Sequence, residues 1–320
     1  MQKQFVISLI FSFLAFSVAL SQSVDRTPKP FSSPESIFGI EHVRKVLPSS
    51  VTSSYSQSVG KNTNISGFWD LQSNGGAVNY IEMNPSNPDF VHVIMMASTD
   101  SSDAISVSMS RRVFYNFSYD GGTTWYTPVM APNNRAGYPS LALVLDQYLS
   151  NIAAVASQGS LLTGEPIQSY LYLDNTEGEK NFLTYPPPLQ LPRSDDAVWP
   201  QIIQTTNGNI ILAGSFPPTS SLSGLSVITL DINRVWSSWQ RFEISSKHAG
   251  RIAIASGDNG YAAVVWRAST DPDSLIYRET TDNGNSWGTK KVVARENGTI
   301  GPCWTGFDAI YLGSTLYVTY

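Results

Sequence analysis

Four short segments, residues 133–140, 192–201, 246–252 and 301–308, gather ionisable and aromatic side chains in a chain that otherwise uses charge sparingly. They hold Arg135, Tyr138, Arg193, Asp195, Asp196, Trp199, His248, Arg251, Trp304 and Asp308. Guanidinium groups suit carboxylate-bearing ligands through paired hydrogen bonds, and aromatic rings suit the faces of sugars. Adjacent Asp195 and Asp196 could raise one another's pKa and serve as acid and base, although neighbouring carboxylates in a loop more often point to solvent. His248 and Cys303 have no partners at metal-ligand spacing, so neither a metal nor another cofactor is expected.

Residues this far apart in sequence can converge only if a regular architecture brings them to one place. From Ile65 onward, short apolar or alternating runs recur between Gly, Asn, Asp and Pro, and no stretch holds a helical period for more than two turns. Aligned on their sharpest hairpins, the runs start at Tyr80, Tyr138, Trp199, Arg251 and Phe307, with turns expected at 86–89, 146–150, 207–208, 257–260 and 313–314. The steps between starts are 58, 61, 52 and 56 residues. That period fits a blade of four short antiparallel strands, which needs roughly 40 to 50 residues or a little more. A four-stranded sheet has two apolar faces and can bury both only by stacking on like neighbours. A β-sandwich, the alternative, does not explain one hairpin per repeat followed by a second strand pair. The expected fold is therefore all-β, a propeller with four complete blades and a started fifth. The four charged and aromatic segments would lie at the axial face, on the loops leading into the innermost strands.

Two windows inside this repeat carry a tighter pattern. Ser118-Tyr119-Asp120-Gly121-Gly122-Thr123-Thr124-Trp125 and Thr280-Thr281-Asp282-Asn283-Gly284-Asn285-Ser286-Trp287 both read S/T-x-D-x-G-x-S/T-W. In such a turn the Asp accepts backbone N–H bonds, Gly takes the positive-φ position and Trp packs back over the strands. At these residues the chain resembles the Asp-box, or BNR-repeat, propellers of the sialidase and sortilin-like superfamily. The resemblance covers roughly residues 75–320. It implies that the box joins the third and fourth strands of a blade, on the face opposite the ligand, and that Asp120 and Asp282 are structural. It also implies six or seven blades in a complete propeller, and hence a chain that continues past Tyr320. Alternatively, residues 65–72 could supply a closing strand. Remnants of the box occur at 173–182, which keeps Asp174 without the Trp, and at 230–239, where a terminal Ser238-Trp239 stands at altered spacing. The opening 83–98 run looks like the strand-turn-strand of the sortilin-like and polysaccharide-processing branches.

Sialidases of this family hold the substrate carboxylate with three Arg and use an Asp as acid/base with a Tyr-Glu nucleophile pair. The Arg-Ile-Pro that supplies the first Arg is absent from the first blade. The chain's one Arg-Ile, Arg251-Ile252, lies in the fourth repeat and is followed by Ala253. A late-blade nucleophilic Tyr is not found.

Charge and composition narrow the setting. Charged residues make up 14% of the chain against roughly 25% in typical soluble domains, and the net charge is −5. With no Lys/Arg run, neither nucleic acid nor an acidic membrane surface is an expected partner. Residues 1–22 combine Lys3, an apolar run and small residues at Ala19 and Ser21, the parts of a secretory signal peptide. A Ser/Pro/Thr-rich extension follows to residue 63, and the propeller occupies 64–320, incomplete at its C-terminus. One cysteine, Cys303, excludes an intrachain disulfide, which for an exported protein of this size points to a bacterial cell surface or exterior. Sequons at Asn64, Asn116 and Asn297 carry little weight in so Asn/Ser-rich a chain. The expected function is binding of an extracellular glycan or protein through the axial funnel. A glycoside hydrolase of exo-sialidase or related polysaccharide-cleaving type and a structural module of an adhesin are the alternatives.

Overall fold

Each repeat folds as an antiparallel sheet. The computed structural model describes residues 61–67, 79–100, 110–146, 148, 150–160, 167–189, 197–219, 222–245, 248–268, 274–296 and 306–320, with the backbone alone at 216–219, 222–223, 244–245 and 248–251. β1 (Ile81–Asn84), β2 (Asn87–Ser98), β3 (Arg111–Ser118) and β4 (Val129–Met130) form the first sheet in chain order. β5 (Ala136–Leu145), β6 (Asn151–Gly159), β7 (Gln168–Asp174) and β8 (Phe182–Tyr185) form the second, and β9 (Val198–Gln204), β10 (Ile210–Thr219), β11 (Leu222–Leu230) and β12 (Gln240–Ser245) the third. The fourth holds β13 (His248–Ser256), β14 (Ala262–Ala268), β15 (Ser274–Thr280) and β16 (Lys291–Arg295), and β17 (Asp308–Leu312) pairs with β18 (Thr315–Thr319) in a fifth. First strands pack on first strands in succession, β1 on β5, β5 on β9, β9 on β13 and β13 on β17. The sheets are thus blades set around an axis lined by their first strands, and the fold is a β-propeller.

Four of the five first hairpins turn where the repeat places them. The first turns earlier, at Pro85 and Ser86, and 87–89 already belong to β2. Its cause is Asn84, whose side-chain oxygen accepts the N–H groups of Ser86 at 2.8 Å and Asn87 at 3.3 Å and so closes the turn ahead of the second proline.

The core lies between blades, which explains why the second strands read as almost unbroken apolar runs. Along β6, Ile152, Ala154 and Ala156 join Ile210 and Leu212 of the third blade, while Ala153 and Val155 join Tyr115 and Val113 of the first. Along β10, Ile211 and Ala213 turn the other way, to Trp266 and Val264 of the fourth blade. Alternation at period two sends each strand's side chains into two different clusters, and both need to be apolar.

One buried polar cluster joins the first and second blades. His92 is fully buried; its Nδ1 lies 2.6 Å from the Tyr115 hydroxyl and its Nε2 3.2 Å from Glu177 Oε1 of the second blade. Asn84 donates to the same Glu177 oxygen at 2.6 Å, and Asn151 donates to Asn84 at 3.0 Å. Burial pushes the His92 pKa down to about 4 and the Glu177 carboxyl up.

Residues 61–67 run outside the strands and are fastened to the first blade, and the rest of the 65–72 stretch lies outside the described residues. Asn64 donates to the Trp125 carbonyl at 3.1 Å. Asn116, in the interior of β3, is fully buried and donates to the carbonyls of Thr63 at 2.7 Å and Tyr126 at 2.6 Å. The 1–22 leader and residues 23–60 of the extension lie outside the described residues.

Candidate ligand site at the loop end of the propeller

The blades have two unlike ends. At one end lie the hairpins between first and second strands and the turns between third and fourth. At the other lie the connections between second and third strands and the entries into the first strands.

The first end is built by hydrogen bonds within the turns. Asp120 Oδ1 accepts the Thr124 N–H at 2.8 Å and the Ser118 hydroxyl at 2.9 Å, and Oδ2 accepts the Thr124 hydroxyl at 2.7 Å. These bonds, the Thr124 N–H foremost, hold the Asp120 carboxyl below its ordinary range. Asp282 repeats the pattern with Ser286 N–H at 2.8 Å and the Thr280 hydroxyl at 2.7 Å. Gly122 and Gly284 have φ of 81° and 86°, and their N–H groups donate to the Ser118 and Thr280 hydroxyls. Both carboxylates are occupied in shaping their own turns.

The 230–239 segment departs from its expected reading. Asp231 Oδ1 accepts the Val235 N–H at 2.8 Å, the same i to i+4 bond as in the other two turns. Trp236 therefore stands where Trp125 and Trp287 stand, five residues after the Asp, so the terminal Ser238-Trp239 is not the end of this turn. Thr229-Leu230-Asp231 keeps the spacing of Ser118-Tyr119-Asp120, and what disguised the turn is that Asn233 and Val235 replace the Gly and the second hydroxyl residue of the pattern. Trp239 is a separate residue, and its indole N–H donates to the Pro188 carbonyl at 2.7 Å.

At the opposite end two first strands open with the same irregularity. The ladder between β5 and β6 shifts between Gly137 and Ser140, and that between β9 and β10 shifts between Ala213 and Ser215. Tyr138 and Trp199 occupy these bulges at φ of 50° and 51°, a region uncommon for bulky side chains, and each is followed by proline. Their N–H groups leave the ladder for side chains of the preceding blade. Tyr138 donates to Met96 Sδ at 3.2 Å and Trp199 to Gln158 Oε1 at 2.9 Å. The aromatic residues are thus set at matching points of consecutive blades by backbone geometry, and bulges of this kind re-aim side chains at functional sites.

Arg111, the first residue of β3, completes the cluster. Its side chain is 4% exposed, and the guanidinium carbon stands 5.1 Å from the centre of the Tyr138 ring. It crosses the backbone of Gly137 so closely that a Cβ there would lie 2.5 Å from Nε and 2.8 Å from the guanidinium carbon. Burial lowers the Arg111 pKa; Tyr138 opposes this and the neighbouring Arg135 charge adds to it. Two guanidinium groups and a phenol ring therefore share one end of the first and second blades. Their chemistry is recognition: charge and paired donors for an anion, with an aromatic face beside them.

The structure brings together Arg135 and Tyr138, and places Trp199 at the matching bulge one blade further on. Asp308 opens β17, is exposed, accepts its neighbour Ala309's N–H at 2.8 Å, and lines an axial cavity of about 250 Å³ with Asn79 and Gln201. His248 and Arg251 sit on β13 with only their backbone described. Arg193, Asp195, Asp196 and Trp304 lie outside the described residues. Arg111 escaped the sequence reading, which took candidates from the entries into first strands alone. The Arg111-Arg112 pair at the end of the connection between second and third strands was the signal available.

No family model matches the chain, and no curated protein matches its sequence. Among solved structures it is similar to the Hadza microbial sialidase Hz136, with a TM-score of 0.51 and 16% identity over 75% of this chain. The chain spans 50% of that sialidase's length. Further matches are an α-L-arabinanase of Penicillium chrysogenum, with a TM-score of 0.49 and 14% identity over 75% of this chain and 73% of that one, and a Dyadobacter fermentans protein of unknown function, with a TM-score of 0.48 and 12% identity over 74% and 73%.

Proposed function

We propose that this chain is an exported glycan-binding propeller that takes an anionic saccharide at its loop end, with Arg111 and Arg135 receiving the acidic group and Tyr138 offering its ring. The observation that carries this reading is the buried Arg111 guanidinium laid across Gly137 beside a second Arg and an aromatic face. Guanidinium groups bind carboxylates and sulfates through paired charge-assisted hydrogen bonds, and a ring beside them offers a face to the sugar. The two Asp turns belong to the Asp-box type on this reading and serve as scaffold at the far end.

The test is a glycan array probed with the full chain, followed by titration of the best acidic hit into Arg111→Gln and Arg135→Gln. Binding is expected to weaken about tenfold or more in each, the loss of a charge-assisted hydrogen bond. Retention of wild-type affinity in both variants removes the reading. Hydrolysis is the second reading, supported by the similarity of fold to a sialidase. Release of fluorophore from a fluorogenic sialoside or arabinoside by the wild-type chain, lost in Arg111→Gln, is the result that establishes it.

A further inference from the structure

A groove on the flank of the propeller, between the second and third blades, carries chemistry that the loop end does not use. One wall is β8 with the 186–189 segment that follows it, and the other is residues 232–241 leading into β12. A stretch of about 760 Å³ runs past Tyr185 and Arg234. Along the same two walls, a stretch of about 650 Å³ runs past Leu189, Trp236 and Trp239. Both volumes lie within the ~300–1,000 Å³ of small-molecule sites.

The polar groups in this groove are not equally occupied. Asp146 accepts the N–H groups of Tyr148 and Ser150, each at 2.8 Å. Asp174 accepts those of Asn175, Lys180 and Asn181 at 2.8 to 3.0 Å. Arg234 is the opposite case: its Nη1 is buried and no acceptor reaches it among the described residues. Buried donors are nearly always satisfied, so an unpartnered one on a side chain that lines a cleft favours a ligand that brings an acceptor. Arg234 is held there at φ of 65° by the short turn in which its N–H donates to Asp231 at 2.9 Å. The indoles supply the second requirement. The bond from Trp239 to Pro188 fixes that ring's plane, Trp236 is placed by the Asp231 turn, and the exposed Ser238 lies between them in the chain.

We infer that this flank groove is a second saccharide site, which takes an acidic oligosaccharide with its sugar faces on Trp236 and Trp239 and its anionic group on Arg234. A proline-rich peptide also stacks on indoles, but it brings no anion for the guanidinium. The site is separate from the Arg111 cluster and stands or falls independently of the function proposed for the loop end.

The experiment is isothermal titration of the full chain with trigalacturonate, a hyaluronan tetrasaccharide and 3′-sialyllactose, with galactotriose, lactose and a decaproline peptide as matched controls. At least one acidic probe binds more tightly than its neutral counterpart, and Arg234→Gln weakens that binding about tenfold while Lys61→Gln, an exposed residue outside both sites, leaves it unchanged. If the loop end binds the same probe, the isotherm shows two components and Arg234→Gln removes one. Trp239→Phe, which keeps a ring but loses the bond to Pro188, weakens the flank component less than Arg234→Gln does. Circular dichroism of both variants is expected to match wild type. The inference is overturned if no acidic probe binds the wild-type chain, if neutral sugars or the peptide bind as tightly as the acidic probes, or if Arg234→Gln binds as wild type does.

Discussion

Gly137 and Arg111 show how a missing side chain can make a site. The guanidinium occupies the space a Cβ at 137 would need, with Nε 2.5 Å from that position. Gly137→Ala is therefore expected to expel Arg111 from its seat, costing about 1–3 kcal/mol of stability by overpacking and at least as much affinity for an acidic glycan as Arg111→Gln. Paired denaturation and binding measurements check both halves of that statement. His92 gives a pH dependence. With its pKa lowered by burial to about 4 from 6.5, the folded protein takes up this proton later than the unfolded chain. Stability intact above pH 6.5 is lost as the pH falls toward 4, by on the order of 3 kcal/mol for a shift of that size. Glu177, whose pKa is raised, works in the opposite sense at the acid end, so the loss is steepest in the upper part of the interval. Urea midpoints measured at pH 7.5 and 5.5 are expected to fall for wild type and to differ less in His92→Gln. Neither residue was visible as special in the sequence. A glycine matters here through what leans on it, and a histidine through a partner 85 positions away.

The turns between third and fourth strands share a motif but not an environment. Gly122 and Gly284 both have positive φ, yet a Cβ at 122 would meet only the ring of Trp125, at 3.5 Å, whereas one at 284 would meet Thr229 Oγ1 of the third blade at 2.8 Å and Ile211 at 3.1 Å. Gly284→Ala is accordingly expected to be the more damaging of the two, by roughly 1–2 kcal/mol, and thermal melts of the pair decide it. The intact boxes were legible because their chemistry is local: an Asp, the hydroxyls two residues before and four after it, and a Gly between. The third blade's turn was misread because Asn233 and Val235 stand where the written pattern has Gly and a hydroxyl residue, while the hydrogen bond that defines the turn survived. The bulges at Tyr138 and Trp199 could be suspected from an aromatic residue followed by proline at two repeat starts. Their partners, Met96 and Gln158, could not, since each lies on another blade.

Across the whole chain the repeat was readable because each blade must bury two faces, and that demand writes itself into every second strand. Period and turn positions follow from it, and the site does not, because function is assembled from loops and from pairs of blades. Leu212 illustrates the consequence for stability: fully buried in the seam between second and third blades, it is expected to cost about 2–5 kcal/mol when cut to Ala. Hydrogen exchange is expected to accelerate most in β6, β7, β10 and β11, since contacts in such a stack run between neighbours. Asn116 carries a last consequence, for production. Its amide lies inside the sheet with both hydrogens committed to the carbonyls of Thr63 and Tyr126, yet its sequence forms an acceptor site for oligosaccharyl transfer. A eukaryotic secretory host that modifies nascent chains would place a bulky sugar where β3 has to close. The choice of expression organism is thereby a folding variable for this protein, and Asn116→Gln would not restore what a host without that enzyme leaves intact.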